Sequence, residues 1–163
     1  VIAVLLLAEE LLPASISVGR GSSYSATALL ARVYLTQFHQ TNNLDAAGYA
    51  IAKADKVINE GGFILAPSFA DLFNGNTTEP IFEVIYDAQN SNRLAQYFFP
   101  RSLAGRYEVA PDAQFISAFD VLDTIRFQST LRYDIENKQY GVKYIDITAG
   151  TDRVMVCDWP KCI

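Results

Sequence analysis

The sequence predicts a mainly α chain, with a helical, repeat-type part over residues 1–62 and a mixed, irregular part with a few short strands over 63–163. Three observations carry this. Apolar residues recur at helical spacing in the N-terminal third, between recognisable caps. After Gly61-Gly62 the pattern changes to short β-branched and aromatic runs broken by Asn, Gly and Pro. With 163 residues, half of them apolar and 12 % aromatic, the chain has the material for a single domain-sized core.

Composition also narrows the function. Thirteen basic against 18 acidic residues give a net charge of −5, with no basic block. Neither duplex nucleic acid nor an anionic membrane surface finds an electrostatic footing on such a chain. The apolar start, Val1 to Ala8, is interrupted by Glu9-Glu10, too early for a membrane span, and it lacks the basic opening of a signal peptide. A chain that opens on Val reads as a mature or excised segment. Cys157 and Cys162 are the only cysteines, and they suggest neither a disulfide framework nor a metal site.

The first helix covers residues 1–12 and stops at Leu12-Pro13, since proline cannot continue the backbone ladder. A Gly/Ser loop follows from Ser17. Ser22 or Ser23 then caps a helix to about Phe38, with Ala26, Leu29, Leu30, Val33 and Tyr34 on one stripe. Asn42-Asn43 cap the next helix, where Asp45 complements the dipole. Its stripe is Ala47, Ala50, Ile51, Ala54, Val57 and Ile58, and Gly61-Gly62 end it. The short connection predicts an antiparallel hairpin whose Ala-rich seam lets the axes approach closely. This looks like one tetratricopeptide-type repeat, a unit that needs stacked neighbours to cover its faces.

Beyond Gly62, Phe63–Ala66 reads as a short extended run, and Ser68 caps a helical turn through Phe73. Asn74-Gly75-Asn76 is a turn signal, and Ile81–Tyr86 is the strongest strand. Residues 88–111 read as loop and 112–119 as a short helix. Strands are expected at 140–147 and 153–156, on either side of a turn at Gly150.

Several segments in fixed order resemble one family. They are Arg20, Ala28-Leu29-Leu30-Ala31-Arg32-Val33-Tyr34-Leu35, Ala54-Asp55-Lys56-Val57-Ile58, Phe69-Ala70-Asp71-Leu72-Phe73-Asn74-Gly75 and Glu79-Pro80-Ile81-Phe82-Glu83-Val84. Gly105-Arg106-Tyr107, Pro111, Asp123 with Arg126, and Tyr140-Gly141-Val142-Lys143-Tyr144 agree as well. Together they resemble the SusD/RagB family of nutrient-binding outer-membrane lipoproteins. The resemblance implies several tetratricopeptide-type repeats on one side of the fold and an irregular ligand-binding side, of which this chain looks like a middle section. It further implies capture of an oligosaccharide or other nutrient at the bacterial cell surface and delivery to a SusC-type, TonB-dependent transporter. Attachment to the outer membrane would run through a lipid anchor absent from this chain.

The last residues depart from that pattern. Where the family continues into a helix resembling Leu-Arg-Leu-Ala-Glu-Met-Tyr, this chain has Cys157-Asp158-Trp159-Pro160-Lys161-Cys162-Ile163. Reading the DNA from the third base of the Val156 codon permits the family helix. Residues 157–163 are therefore expected to be a frameshifted reading, which sequencing the coding DNA decides.

Hydrolytic chemistry finds little support. Glu9-Glu10, Asp120/Asp123 and Asp134/Glu136 are available carboxyl pairs, but caps and surface acids explain them. His39 is the sole histidine, so a triad or a His-rich zinc site is not expected. No cofactor is indicated, and the chain is read as a binder, not an enzyme. Gly19-Arg20-Gly21-Ser22 is similar to an anion-cradling loop but follows a helix and reads as plain capping. Asp123 and Arg126 are spaced for a structural pair.

The stretch Tyr86 to Tyr107 interleaves aromatic residues with Asn, Gln and Arg. Aromatic faces stack on the C–H faces of sugars while amides and guanidinium groups bond the hydroxyls. The same composition also suits a folded loop whose aromatics are core. Since the resemblance implies ligand contacts from loops on this side, Tyr97, Tyr107, Asn92 and Arg93 are the candidate ligand-binding residues. The competing reading is a tetratricopeptide-type protein-interaction module, which would need a peptide-sized groove lined by repeat helices.

Overall fold

The structure, a computed structural model, describes residues 1–14, 17, 19–73 and 77–158, with the side chains of Cys157 and Asp158 excepted. The expected turn at Asn74-Gly75-Asn76 and the chain from Trp159 to Ile163 lie outside the described residues. The chain divides into two compact units, one formed in its described parts by residues 1–66, 77–84 and 155–158, the other by 67–73 and 85–154.

In the first unit, helix α1 (Ile2–Leu11) is followed by an extended Leu12 and then Pro13. Helix α2 (Ser23–Thr41) opens on a reciprocal box: the Ser25 N–H donates to the Ser22 hydroxyl at 3.2 Å and the Ser22 N–H to the Ser25 hydroxyl at 2.7 Å. It runs past the expected end at Phe38. Asn42, at φ 52°, closes it in the left-handed region, its N–H donating to the Phe38 carbonyl. Asn42 thus ends α2, and Asn43 alone caps helix α3 (Leu44–Glu60), accepting from the Asp45 N–H at 2.9 Å. Gly61 and then Gly62, at φ 70°, terminate α3.

The buried stripes coincide with those expected at Ala26, Leu30, Ala50 and Val57 and differ elsewhere. In α2 they comprise Ala26, Thr27, Ala28, Leu30 and Ala31, and in α3 Ala46, Ala50 and Val57, while Leu29, Ile51 and Ile58 are exposed. Glu9, its side chain 9 % exposed, accepts from the Thr27 hydroxyl at 3.0 Å, from Lys56 at 2.9 Å and from Lys53. Lys53 and Lys56 of α3 thus face α1.

Strand β1 (Pro80–Val84) completes this core, with Ile81 buried against Ala28 and Val57 and flanked by Tyr24, Phe63 and Phe82. It pairs with β4 (Val154–Asp158). The expected extended run at Phe63–Ala66 forms no strand. Instead the Ala66 N–H donates to the buried Glu79 carboxylate at 2.7 Å.

The second unit is built from short pieces. A 3-10 turn (Asp71–Phe73) starts where the Ser68 hydroxyl accepts from the Asp71 N–H. The expected loop over 88–111 contains helix α4 (Leu94–Phe98) and a 3-10 turn at Arg101–Leu103. Helix α5 (Ala113–Ser117) is capped by Asp112, and helix α6 (Thr124–Thr130), which sequence periodicity did not reveal, by Asp123. Asp123 also pairs with Arg126, the structural pair expected from their spacing. Strands β2 (Leu131–Tyr133) and β3 (Gln139–Gly141) form an antiparallel hairpin with Leu131 opposite Gly141. The expected strand 140–147 ends at Gly141, and further on the N–H groups of Ile145 and Asp146 donate to the Asp152 carboxylate.

Candidate functional site

Asn92 organises the segment that carries the sequence-derived candidates. Its N–H donates to the Gly150 carbonyl and its side-chain amide to the Asp152 carbonyl, both at 2.8 Å, while its Oδ1 accepts from Leu94 N–H at 3.0 Å. The half-buried side chain therefore starts α4 and ties it to the loop at 150–152. Gly150 fits because it lies at φ 66° and because a Cβ there would fall 2.1 Å from the Asn92 carbonyl oxygen.

The three consecutive aromatics Tyr97, Phe98 and Phe99, at the end of α4 and its C-cap, meet different surroundings. Tyr97 is half-buried, with the Arg106 guanidinium 5.3 Å from its ring centroid. Phe98 faces Tyr144, ring centroids 6.0 Å apart, and Phe99 packs edge-on against Tyr140 at 5.2 Å. The chain returns beneath α4 through Gly105, where a Cβ would meet the Phe99 carbonyl oxygen at 1.9 Å. Tyr107, at φ 54°, donates its hydroxyl to the Gln139 carbonyl at 2.8 Å. Arg93 is exposed at the N-terminal end of α4. Tyr97 and Arg93 thus share α4, while Asn92 and Tyr107 spend polar groups on holding the segment.

Beside α4 lies a cavity of about 450 Å³, within the size range of small-ligand sites. Phe98, Phe115, Leu131 and Tyr144 supply a mainly apolar lining, with Lys143 and Asp112 as charged members. Burial, with smaller contributions from the nearby Asp152 and Tyr86, pushes the Tyr144 phenol up from its ordinary 10.0. The Asp112 carboxylate accepts from the Phe115 N–H at 2.7 Å and fixes the start of α5. Ring faces beside a few polar groups can take a flat, partly apolar solute such as a sugar ring. None of Asn92, Arg93, Tyr97 and Tyr107 lines this cavity. Phe98 belongs to the aromatic stretch read from the sequence, but only the phase of α4 and the meeting of distant segments bring it together with Phe115 and Tyr144.

Of the candidate carboxylates, Glu9, Asp120, Asp123, Asp134 and Glu136 hold partners within the fold. Asp120 accepts from the Leu122 N–H, and Asp134 from the N–H groups of Glu136 and Lys138 in the hairpin turn. His39 sits in the last turn of α2 beside Phe38. Among the described residues no cluster of three or more His, Cys, Asp or Glu is placed to hold a metal ion, and no helix is long and apolar enough to cross a membrane.

No family model and no curated protein matches the chain. Solved structures do. One, crystallised with a xylogluco-oligosaccharide, superposes with a TM-score of 0.75 at 18 % identity over 99 % of this chain and 42 % of its own. A SusD superfamily protein from Bacteroides thetaiotaomicron gives 0.68 at 19 % identity over 99 % and 39 %. A SusD-like protein from Bacteroides fragilis gives 0.70 at 16 % identity over 99 % and 46 %. The chain spans less than half the length of each of these structures. The helical hairpin and the irregular part together have a SusD-like fold.

Proposed function

We propose that the chain belongs to a binding protein that captures oligosaccharides without chemical conversion, and that the aromatic cavity beside α4 is its sugar site. The observation that carries this reading is the cavity itself: Phe98, Phe115 and Tyr144 gathered around about 450 Å³. Its place in a SusD-like fold, one solved example of which holds a xylogluco-oligosaccharide, supports it. Stacking of sugar C–H faces on these rings would give affinity, and the polar groups at the lining would give orientation. Tyr97 and Arg93 on α4 are proposed as outer contacts, with Asn92 and Tyr107 holding α4 in place. The capped and paired carboxylates favour equilibrium binding over hydrolysis.

The same fold favours a role at the bacterial outer membrane, passing ligand to a SusC-type, TonB-dependent transporter. Calorimetric titration of the chain with a panel of oligosaccharides, with a reducing-end assay alongside, tests the central part. Saturable binding is expected, weakened about tenfold or more by Phe98→Ala, since an aromatic pair contributes on the order of 1 kcal/mol beyond its buried area. Tyr97→Ala should weaken it less. Release of new reducing ends, or binding indifferent to Phe98→Ala, would overturn the reading.

A further inference from the structure

Gly141, the last residue of β3, lines the aromatic cavity together with Phe98, and Leu131 stands directly opposite it on β2. Successive residues of a strand face opposite sides of the sheet. Tyr140 accordingly packs against Phe99, whereas position 141 lies beside the ring of Phe98. A Cβ at Gly141 would stand 3.3 Å from Phe98 Cδ1, 3.7 Å from Cγ and 3.8 Å from Cε1. Glycine is a poor choice in a strand, since it packs nothing and loses the most backbone freedom on folding. Backbone geometry accounts for Gly105 and Gly150, where an added Cβ would meet a carbonyl oxygen at 1.9 and 2.1 Å. At Gly141 neither a positive φ nor a close carbonyl supplies the reason. Its chain neighbours aside, the atoms nearest the missing Cβ are those of the Phe98 ring.

We infer that Gly141 is a positioning residue of the sugar site: its missing side chain lets the Phe98 ring lie against β3 and so sets the width of the cavity. The inference rests on the sugar-binding reading above. A side chain at 141 would act twice. It would fill lining space beside Leu131, and it would push Phe98 from its place facing Tyr144, where the ring centroids are 6.0 Å apart. Both effects narrow the cavity, so a bulkier sugar loses more than a slender one. The half-buried Phe98 borders open space and can yield by the few tenths of an ångström that one methyl group demands. The fold therefore tolerates alanine at 141 while the site does not.

Calorimetric titration with cellotetraose and with its xylose-branched counterpart, on the unaltered chain and on Gly141→Ala and Gly141→Val, tests this. An NMR contact between the Gly141 α-protons and the Phe98 ring is expected in the unaltered chain without any ligand. Gly141→Ala should weaken the branched ligand on the order of tenfold, comparable to loss of the ring contact, and the unbranched one less. Gly141→Val should weaken both further. The urea midpoint of Gly141→Ala should be unchanged or higher, since alanine restricts the unfolded chain more than glycine does. Gly48→Ala, at an exposed position of α3 where nothing lies within 4 Å of the added Cβ, should leave binding intact. Affinity that survives both substitutions at 141, an equal loss for the two ligands, a lowered midpoint or a missing NMR contact would each overturn the inference. Weakened binding in Phe98→Ala would in those cases keep the sugar reading in place. Failure of the unaltered chain to bind either ligand would overturn the inference, and failure across the wider panel would overturn the sugar reading as well.

Discussion

Glu9 holds α1 to the hairpin through Thr27, Lys53 and Lys56, and it is the most heavily hydrogen-bonded side chain in the helical part among the described residues. Burial pushes its carboxyl upward, but the hydrogen bonds from the two lysines and Thr27 outweigh this and hold it below its ordinary 4.5. Its stabilising contribution is therefore complete above that value and lost as the pH falls below it. Glu9→Gln should cost about 1–3 kcal/mol in urea unfolding at neutral pH, because both ammonium groups lose their charged partner. Glu10→Gln, on the exposed side, should change stability by no more than about 0.5 kcal/mol. The distinction between these adjacent acids was not legible in the sequence. The rest of α1 is apolar on every side, so no polar stripe marks which way the helix faces.

At the scale of elements, local chemistry was readable wherever a side chain closes a backbone bond nearby. Ser22, Asn43 and Gly62 mark the helix ends as expected. Helices α4 and α6, of five and seven residues, escaped notice because such lengths carry no periodic signal and depend on tertiary bonds. The loop at 145–152 shows the same dependence. There the Thr151 hydroxyl first, then the N–H groups of Thr151 and Ala149, bring the Asp146 carboxyl from 3.8 down to about 2. The loop should keep its full stability above about pH 4 and lose it as the pH falls toward 2. An NMR pH titration of the Asp146 carboxyl should place its midpoint near 2, moving toward 3.8 in Thr151→Val. A midpoint at the ordinary value in the unaltered chain would refute the loop geometry.

On the scale of the whole molecule, fold and site differ in how far they could be read ahead. The ordered segments, from Arg20 to Tyr144, carried the resemblance from which the SusD-like fold was expected, and the solved structures agree with it. The aromatic cavity was not visible, since its lining joins residues as far apart as Phe98 and Tyr144. Another consequence follows from surface composition. Val4, Leu7 and Leu11 stand on one face of α1 with 70, 55 and 70 % exposure, a contiguous apolar stripe facing water. The chain should self-associate in sedimentation velocity experiments, and Leu7→Glu with Leu11→Glu should shift it toward monomer. A chain that stays monomeric at all concentrations would contradict this.

The central claim, that the cavity beside α4 receives sugar, is met most directly by residue-resolved NMR during titration with a ligand found by calorimetry. Amide shifts are expected at Phe98, Phe115, Lys143 and Tyr144, around the lining of the cavity. Shifts confined to the helices α1–α3, with these positions unmoved at saturation, would contradict it.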